Sequence, residues 1–374
     1  MFLTREDTEA IRKRITQDSD TKAHLTTLAD QAMLEGPWSV TDDRAPSSKG
    51  GSHDYYSEGP YWWPNPEAPD GPYIRKDGLF NPAQFKQHKM ALRHMCKNVL
   101  ILAGAGYHLK KQSYSDYAIS LIRTWFINEA TAMTPHLQYG QSIPGICDGR
   151  GIGLIDTIYF VELLQGVSYL DLNGGYAKEI ESMRGWFTDF MTRFCESDYG
   201  IEEKSNGNNH ATWWTLQAMC YGKFVGDQGK FQMALTWYKK TILPEQMAED
   251  GAFPVELART RSYHYTLFNL IPIAMICELA IMQGEDLWHY ELADGRGFVL
   301  GYDFLLPYLE QPATWHYPSL DAIDVEDSIL LLLVEKRLKD ERTKVLRRKL
   351  RDQRVLQDET MTKMMLPLCL WLEG

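Results

Sequence analysis

The feature that most constrains this chain is the monotony of its hydrophobic period. Apolar residues recur at three- and four-residue steps along most of its 374 residues. Alternating runs of four or more, the mark of a half-buried strand, are hard to find. Residues 4–34 read as two helices broken near Asp18–Asp20. Asn81-Pro82 is expected to open the next, with Asn as N-cap and Pro at the first helical position. Its buried face would carry Phe85, His88, Leu92, Cys96, Val99 and Ala103. Further helices are predicted near 115–127, 154–171, 176–195, 210–225, 229–241, 262–283, 301–309, 324–339 and 343–352. Ten to thirteen helices with no sheet to pack on must bury their apolar stripes on one another. No fixed repeat of 34 to 47 residues is visible, which disfavours a solenoid. The expected fold is therefore all-α: a closed α/α toroid of about six to seven helical hairpins, in a single domain spanning 1–374. Loops 36–81, 135–153 and 198–212 would form a cleft at one end.

The segment Gly36–Asn81 stands apart, with seven of the 17 Pro, many aromatics and little periodicity. A long irregular stretch inside a compact domain is usually functional or disordered, and its aromatic density favours an ordered, functional loop. The chain has 11 Trp and 20 Tyr. Many will be core, but an excess of this size also suits a groove where flat rings stack on sugars. The net charge of -11 argues against a nucleic-acid binder, which would need a basic face. It fits a polyanionic ligand only if Arg and Lys line the groove locally, because exposed charges beyond about 10 Å are screened. The six Cys show no metal-ligand or disulfide spacing. Cys96, Cys195, Cys220 and Cys277 read as buried small hydrophobes. The N-terminus MFLTREDTEAIRKRI is charged and amphipathic, unlike a signal peptide. The longest uncharged apolar run, Thr266–Cys277, is far short of the roughly 20 residues that span a bilayer.

Four stretches could carry chemistry. Ser205–Trp214 (SNGNNHATWW) sets an amide and an imidazole, Asn209 and His210, at a helix start whose dipole favours an anion. The plain alternative is an Asn cap beside a surface His. Glu256–Asn269 (ELARTRSYHYTLFN) offers Arg259 and Arg261 as carboxylate forks. A Tyr beside them could have a depressed pKa and exchange a proton. The alternative is a capped helix with an Arg paired to Glu256. His53–Pro66 holds five aromatics in nine residues, either a sugar platform or a plug of the toroid mouth. In Gln141–Gly153, Gln141 and Arg150 could bind hydroxyls and a carboxylate, or Asp148 could hold Arg150 structurally.

Together these blocks resemble the alginate-lyase superfamily of polysaccharide lyases. HDYYSEGPYWWPNPEAPDGPYIRKDG is the most specific stretch, and NNHATWW and ELARTRSYHYTLFNL follow in the family's order. The likeness covers roughly residues 50–285 and is closer to polysaccharide lyase family 38 than to family 5. It implies an α/α toroid acting on an anionic polysaccharide or oligosaccharide, without cofactor or metal. It makes Asn209 and Arg259 neutralisers of a uronate carboxylate, His210 a base and Tyr265, rather than Tyr263, the catalytic acid. Tyr61, Trp62, Trp63 and Trp213 would line the groove, with Gln141, Arg150, Arg261 and His264 as further substrate contacts. It also implies a periplasmic or extracellular setting, while the N-terminus, unlike a signal peptide, leaves a cytoplasmic one open. The expected state is a monomer or weak dimer with no membrane span and no nucleic acid.

The implied reaction is β-elimination in a 1,4-linked uronan, alginate (polymannuronate) first and glucuronan next. Neutralising the carboxylate stabilises the enolate-like intermediate by about 3–4 kcal/mol per well-placed donor. In mannuronate and glucuronate the C5 proton and O4 share a face, so Tyr265 could serve as base and then acid. In guluronate they lie on opposite faces, and His210 would be the base. A glycoside hydrolase would need two facing carboxylates, for which Asp148, Asp156 and Glu256 are candidates. A non-catalytic carbohydrate-binding protein would keep the aromatics alone.

Overall fold

The computed structural model describes residues 1–69 and 71–351. Two helices open the chain, α1 (Arg5–Gln17) and α2 (Ser19–Ala32). Three short strands follow, β1 (Tyr56–Glu58), β2 (Trp62–Trp63) and β3 (Ile74–Arg75), and then α3 (Gln87–Leu109) and α4 (Gln112–Ile122). Strand β4 (Tyr139–Ser142) precedes α5 (Phe160–Asn173), α6 (Ala177–Glu196), α7 (Asp198–Lys204), α8 (Asn209–Val225) and α9 (Gln228–Trp237). The rest is helical: α10 (Leu243–Gln246), α11 (Pro254–Leu257), α12 (Ser262–Ile281), α13 (Phe298–Glu310), α14 (Ile329–Leu338) and α15 (Glu341–Arg351).

Helices α3, α5, α8, α12 and α14 are buried on nearly all sides, while the amphipathic α2, α4, α6, α9, α13 and α15 lie outside them. Inner α3 packs on α2, α4 and α5; inner α8 packs on α6, α9 and α12; α12 continues to α13 and α14. This alternation is the α/α toroid. Among the described residues there are only two-stranded pairings, β1 with β4 in parallel and β2 with β3 as an antiparallel hairpin. Much of the aromatic excess is core. Trp186 stacks on Phe190 (centroids 5.0 Å apart, 14° between planes) and Phe194 on Trp214 (5.8 Å, 7°). Such pairs add about 0.5–1.5 kcal/mol each beyond the area they bury. Cys96, Cys195, Cys220 and Cys277 are buried, as their apolar settings predict, whereas Cys369 lies outside the described residues.

Several boundaries differ from the sequence reading, each for a local reason. Asp18 does break the first pair, closing α1 and capping α2 through Asp20 N–H. The Asn81-Pro82 start fails because Asn81 folds an Asx turn instead. Its Oδ1 accepts from Ala83 N–H at 3.0 Å and its Nδ2 donates to Trp62 O at 2.9 Å. Glu58 then takes Phe85 N–H, and α3 begins only at Gln87. Within 198–212, read as loop, Ser197 caps the short helix α7. The 324–339 helix starts at Ile329. Helix α12 extends the Thr266–Cys277 run to 20 residues, long and apolar enough to cross a membrane by length and composition, but 89% of its most apolar window is buried inside the protein.

Candidate active site

A cavity of about 260 Å3 opens at one end of the toroid. Its walls come from the β1–β3 segment, the stretch after β4, the α8 N-terminus and the start of α12. Asn208, Asn209, His210, Arg259 and Tyr265 all line it.

At the α8 N-terminus Asn208 is the cap, accepting His210 N–H at 2.9 Å, and its carbonyl accepts Gln246 Nε2 at 2.9 Å. Asn209 is the first helical residue and is buried. Its backbone N–H donates to Glu256 Oε1 at 2.6 Å, and its Nδ2 lies 3.0 Å from both Glu256 oxygens. The anion expected at this helix end is therefore the protein's own Glu256. His210 Nδ1 lies 2.8 Å from Oε1 of Glu203, a fully buried residue of α7. With Glu203 ionised, Nδ1 carries the proton and Nε2 is left as an acceptor. Burial pushes the carboxyls of both Glu203 and Glu256 above the usual range, against the opposing pull of His210 and Asn209 respectively.

On the facing wall Arg259 stacks over the Tyr265 ring, its Cζ 3.7 Å from the centroid. The Tyr265 hydroxyl lies 2.6 Å from that of Tyr61. The depressed pKa expected for a Tyr beside these cations is not found. Burial, together with Tyr61, outweighs Arg259 and holds Tyr265 well above the ordinary tyrosine value. Arg259 is held by Asp77, Nη2 to Oδ1 at 2.9 Å and Nε to Oδ2 at 3.2 Å. Asp77 also receives Thr260 and Arg75. Burial alone would raise Asp77, but these donors prevail and hold it at about 2.

The third wall is built on the β1–β4 pair. Gln141 sits at φ 48°, a left-handed conformation costly for a non-glycine residue. Three bonds hold it there: its N–H to Ser57 Oγ (2.8 Å), and Arg150 Nε and Nη2 to its carbonyl and side-chain oxygens (2.9 and 3.0 Å). Ser57 in turn donates to the buried Asp156, which pairs with Lys89 at 2.9 Å. Gly59 permits this packing, since a Cβ there would lie 2.7 Å from Trp62 Cδ1 and 2.9 Å from Arg150 Nη2. Among the described residues, Arg75, Lys89, Arg150 and Arg259 thus face the cavity against one lining carboxylate, Asp156. That local excess resolves the conflict between the chain's net charge and an anionic ligand. Among the described residues no group of three or more His, Cys, Asp or Glu is arranged to hold a metal ion.

The alginate lyase family model matches residues 39–315, most of the chain. The chain belongs to the alginate lyase family. An alginate lyase structure from Bacteroides ovatus superposes with a TM-score of 0.89 at 30% identity, covering 100% of this chain and 98% of that one. The Sphingomonas species A1 alginate lyase A1-III shares the fold at a TM-score of 0.58 and 18% identity, over 89% of this chain and 87% of its own. A polysaccharide lyase of Stenotrophomonas maltophilia is 33% identical over 92 residues, 24% of this chain and 27% of the relative. This chain therefore spans about a quarter of that curated relative's length.

The remaining residues singled out in this family member divide. Tyr61, Trp62, Gln141 and Arg150 line the cavity. Trp63 instead packs under Lys76 Nζ and donates to Leu79 O outside the lining. Trp213 is core, 1% exposed, with its indole N–H on Phe268 O, because the inner helix α8 has no solvent face there. Arg261 is drawn away by Asp321, and His264 stacks on Phe268 at 5.7 Å outside the lining. Tyr263 packs on Trp315, away from the cavity, so Tyr265 is the tyrosine of this block that faces it. Asp148 is not a partner of Arg150, which bonds Gln141. Sequence reasoning missed Glu203, Asp77, Arg75 and Lys89. Only Arg75 and Asp77, within the quoted aromatic block, carried any signal.

Proposed function

We propose that the chain is a uronan lyase that breaks 1,4-linked uronic acid polymers by β-elimination and leaves 4,5-unsaturated ends. The observation that carries this reading is the convergence of a carboxylate clamp (Asn209, Arg259) and two proton carriers (Tyr265, His210) on one cavity. A uronate carboxylate seated between Asn209 and Arg259 loses its electrostatic opposition to a carbanion at C5. Each such donor contributes about 3–4 kcal/mol at the transition state. Arg75, Lys89 and Arg150 draw in the polyanion, and Tyr61 and Trp62 offer ring faces to the sugar.

Tyr265 bears its proton at neutral pH and so is ready to protonate the leaving O4. To act first as base it must give that proton up. The stacked Arg259 is the group that stabilises the resulting tyrosinate, against burial and the neighbouring Tyr61 hydroxyl. This same-face route suits polymannuronate first and glucuronan next. For guluronate, His210 Nε2 takes the C5 proton and Tyr265 delivers its own to the opposite face. A polymer of this kind is met outside the cytoplasm, so a periplasmic or extracellular site of action accompanies the reading.

A hydrolase fits less well. Among the described residues the cavity is lined by one carboxylate, Asp156, which is tied to Lys89, Ser57 and Tyr55, while Glu256 is engaged by Asn209. The test is to incubate the protein with polymannuronate, polyguluronate and glucuronan and follow the ultraviolet absorbance of the C4–C5 double bond. Growth of absorbance supports the lyase. New reducing ends without absorbance indicate hydrolysis, and binding without either indicates a carbohydrate-binding protein.

A further inference from the structure

Glu256 does not line the cavity, is 1% exposed, and has no cation within ion-pair distance among the described residues. A carboxylate so placed is costly unless its oxygens are well hydrogen-bonded. Its partner is a single residue, Asn209, through both the backbone N–H and the side-chain amide. The two Glu256 oxygens, each 3.0 Å from Asn209 Nδ2, lie close together as seen from that nitrogen. The amide's two N–H bonds diverge by about 120°, so one of them is shared between the oxygens and the other points elsewhere. Asn209 Oδ1 also has no hydrogen-bond partner among the described residues, although it is buried. The amide is thus anchored at one N–H only, and its remaining donor is left free on a residue that lines the cavity.

We propose that Glu256 is a positioning residue for the lyase reaction: its carboxylate fixes the Asn209 amide in the orientation that turns an uncommitted N–H, rather than the oxygen, to the substrate carboxylate. This rests on the uronan-lyase reading above and adds the reason Asn209 can serve as a donor. An ionised carboxylate accepts hydrogen bonds and cannot donate them, so it tolerates the NH2 end of the amide and repels the oxygen end. A glutamine at 256 has both an acceptor and a donor, and so permits either orientation. The amide would then present its oxygen to an anion in part of the population, and the clamp would lose its donor as negative charge develops.

The simpler reading is that Glu256 only caps α8 through the Asn209 backbone N–H. The two readings separate by measurement. Wild type, Glu256→Gln, Glu256→Asp, Asn209→Ala and the Glu256→Gln/Asn209→Ala double variant are assayed at high enzyme concentration by ultraviolet absorbance on the preferred uronan, with thermal midpoints recorded. For a positioning role, Glu256→Gln lowers kcat about 10- to 100-fold, below the full loss of an oxyanion donor. KM stays within threefold and the midpoint stays near wild type. Glu256→Asp, which keeps two acceptor oxygens, recovers part of the loss. In the Asn209→Ala background, Glu256→Gln changes kcat less than twofold, because the residue through which it acts is gone.

The proposal is overturned if Glu256→Gln keeps kcat within twofold of wild type, if its loss of rate matches its loss of folded protein, or if the same factor appears in the Asn209→Ala background. A wild-type chain inactive on every uronan removes the lyase reading itself. An active wild type with an insensitive Glu256→Gln removes this inference alone.

Discussion

Replacing Glu203 by Gln removes the one charge that pairs with His210 among the described residues, while nearly conserving shape. His210 Nδ1 and Glu203 Oε1 are 2.8 Å apart, and Glu203 is fully buried. The carboxylate does two things for a base at this position. It fixes the proton on Nδ1, leaving Nε2 free, and it stabilises the imidazolium formed once Nε2 takes a proton. Opposite charges about 4 Å apart interact by roughly 4 kcal/mol at an effective dielectric near 20. A neutral amide recovers part of this, so the barrier should rise by about 2–4 kcal/mol where His210 is the base. That corresponds to a kcat roughly 30- to 1000-fold lower. Where Tyr265 serves as both base and acid, His210 only supports, and the loss should stay below tenfold. Stability should not follow the activity. Glu203 has its folded pKa raised above the unfolded value, so its ionisation disfavours the native state as pH rises past the unfolded pKa. A neutral Gln escapes that cost, and the thermal midpoint at neutral pH should be equal or higher. The assay is the initial rate of unsaturated product at saturating polyguluronate and polymannuronate, wild type against variant. An unchanged kcat on every uronan the wild type turns over, or a fall only with the folded fraction, would refute this role of Glu203.

Asp77→Ala should free Arg259 from its two-point anchor and lower kcat/KM about 10- to 100-fold by misplacing the clamp; the check is steady-state kinetics, and Asp77→Asn should lose less. His264, held at about 4 by burial and the nearby Arg261, refuses a proton that the unfolded chain accepts near 6.5. With its folded pKa below the unfolded one, stability is intact at pH 7 and falls as pH drops through 6.5, by about 2 kcal/mol at pH 5. Denaturant titrations at both pH values should show that His264→Phe loses correspondingly less than wild type. Finally, kcat/KM on polymer should fall as NaCl is raised, because Arg75, Lys89, Arg150 and Arg259 act on the approaching chain through a field that salt screens. A flat salt profile would remove the steering role.

The toroid was legible because its cause is local. The 3.6-residue period of outer helices such as α4 and α6, the all-round apolar character of α12 and the lack of strand alternation leave helices with only each other to pack on. Boundaries failed where a side chain from elsewhere intervenes, as when Trp62 O and Glu58 capture the residues ahead of α3. At the cavity, Asn209, His210, Arg259 and Tyr265 were visible as motif residues on helix starts. Their partners were not. Asp77 lies 182 residues from Arg259, and Glu256 lies 47 from Asn209. Such pairings depend on how the toroid closes, which no local spacing records. Trp213 shows the converse error: an aromatic beside a functional motif, but on the inward face of an inner helix, belongs to the core.

Tyr265, seated between Tyr61 and Arg259, is the proton carrier of the proposed lyase reaction. The decisive measurement compares wild type with Tyr265→Phe on polymannuronate, following the C4–C5 double-bond absorbance and, in parallel, oligouronate binding by calorimetry. A Tyr265 proton carrier requires steady absorbance growth for wild type, none above background for the variant, and affinities within a fewfold of each other. Undiminished absorbance growth by Tyr265→Phe would contradict it.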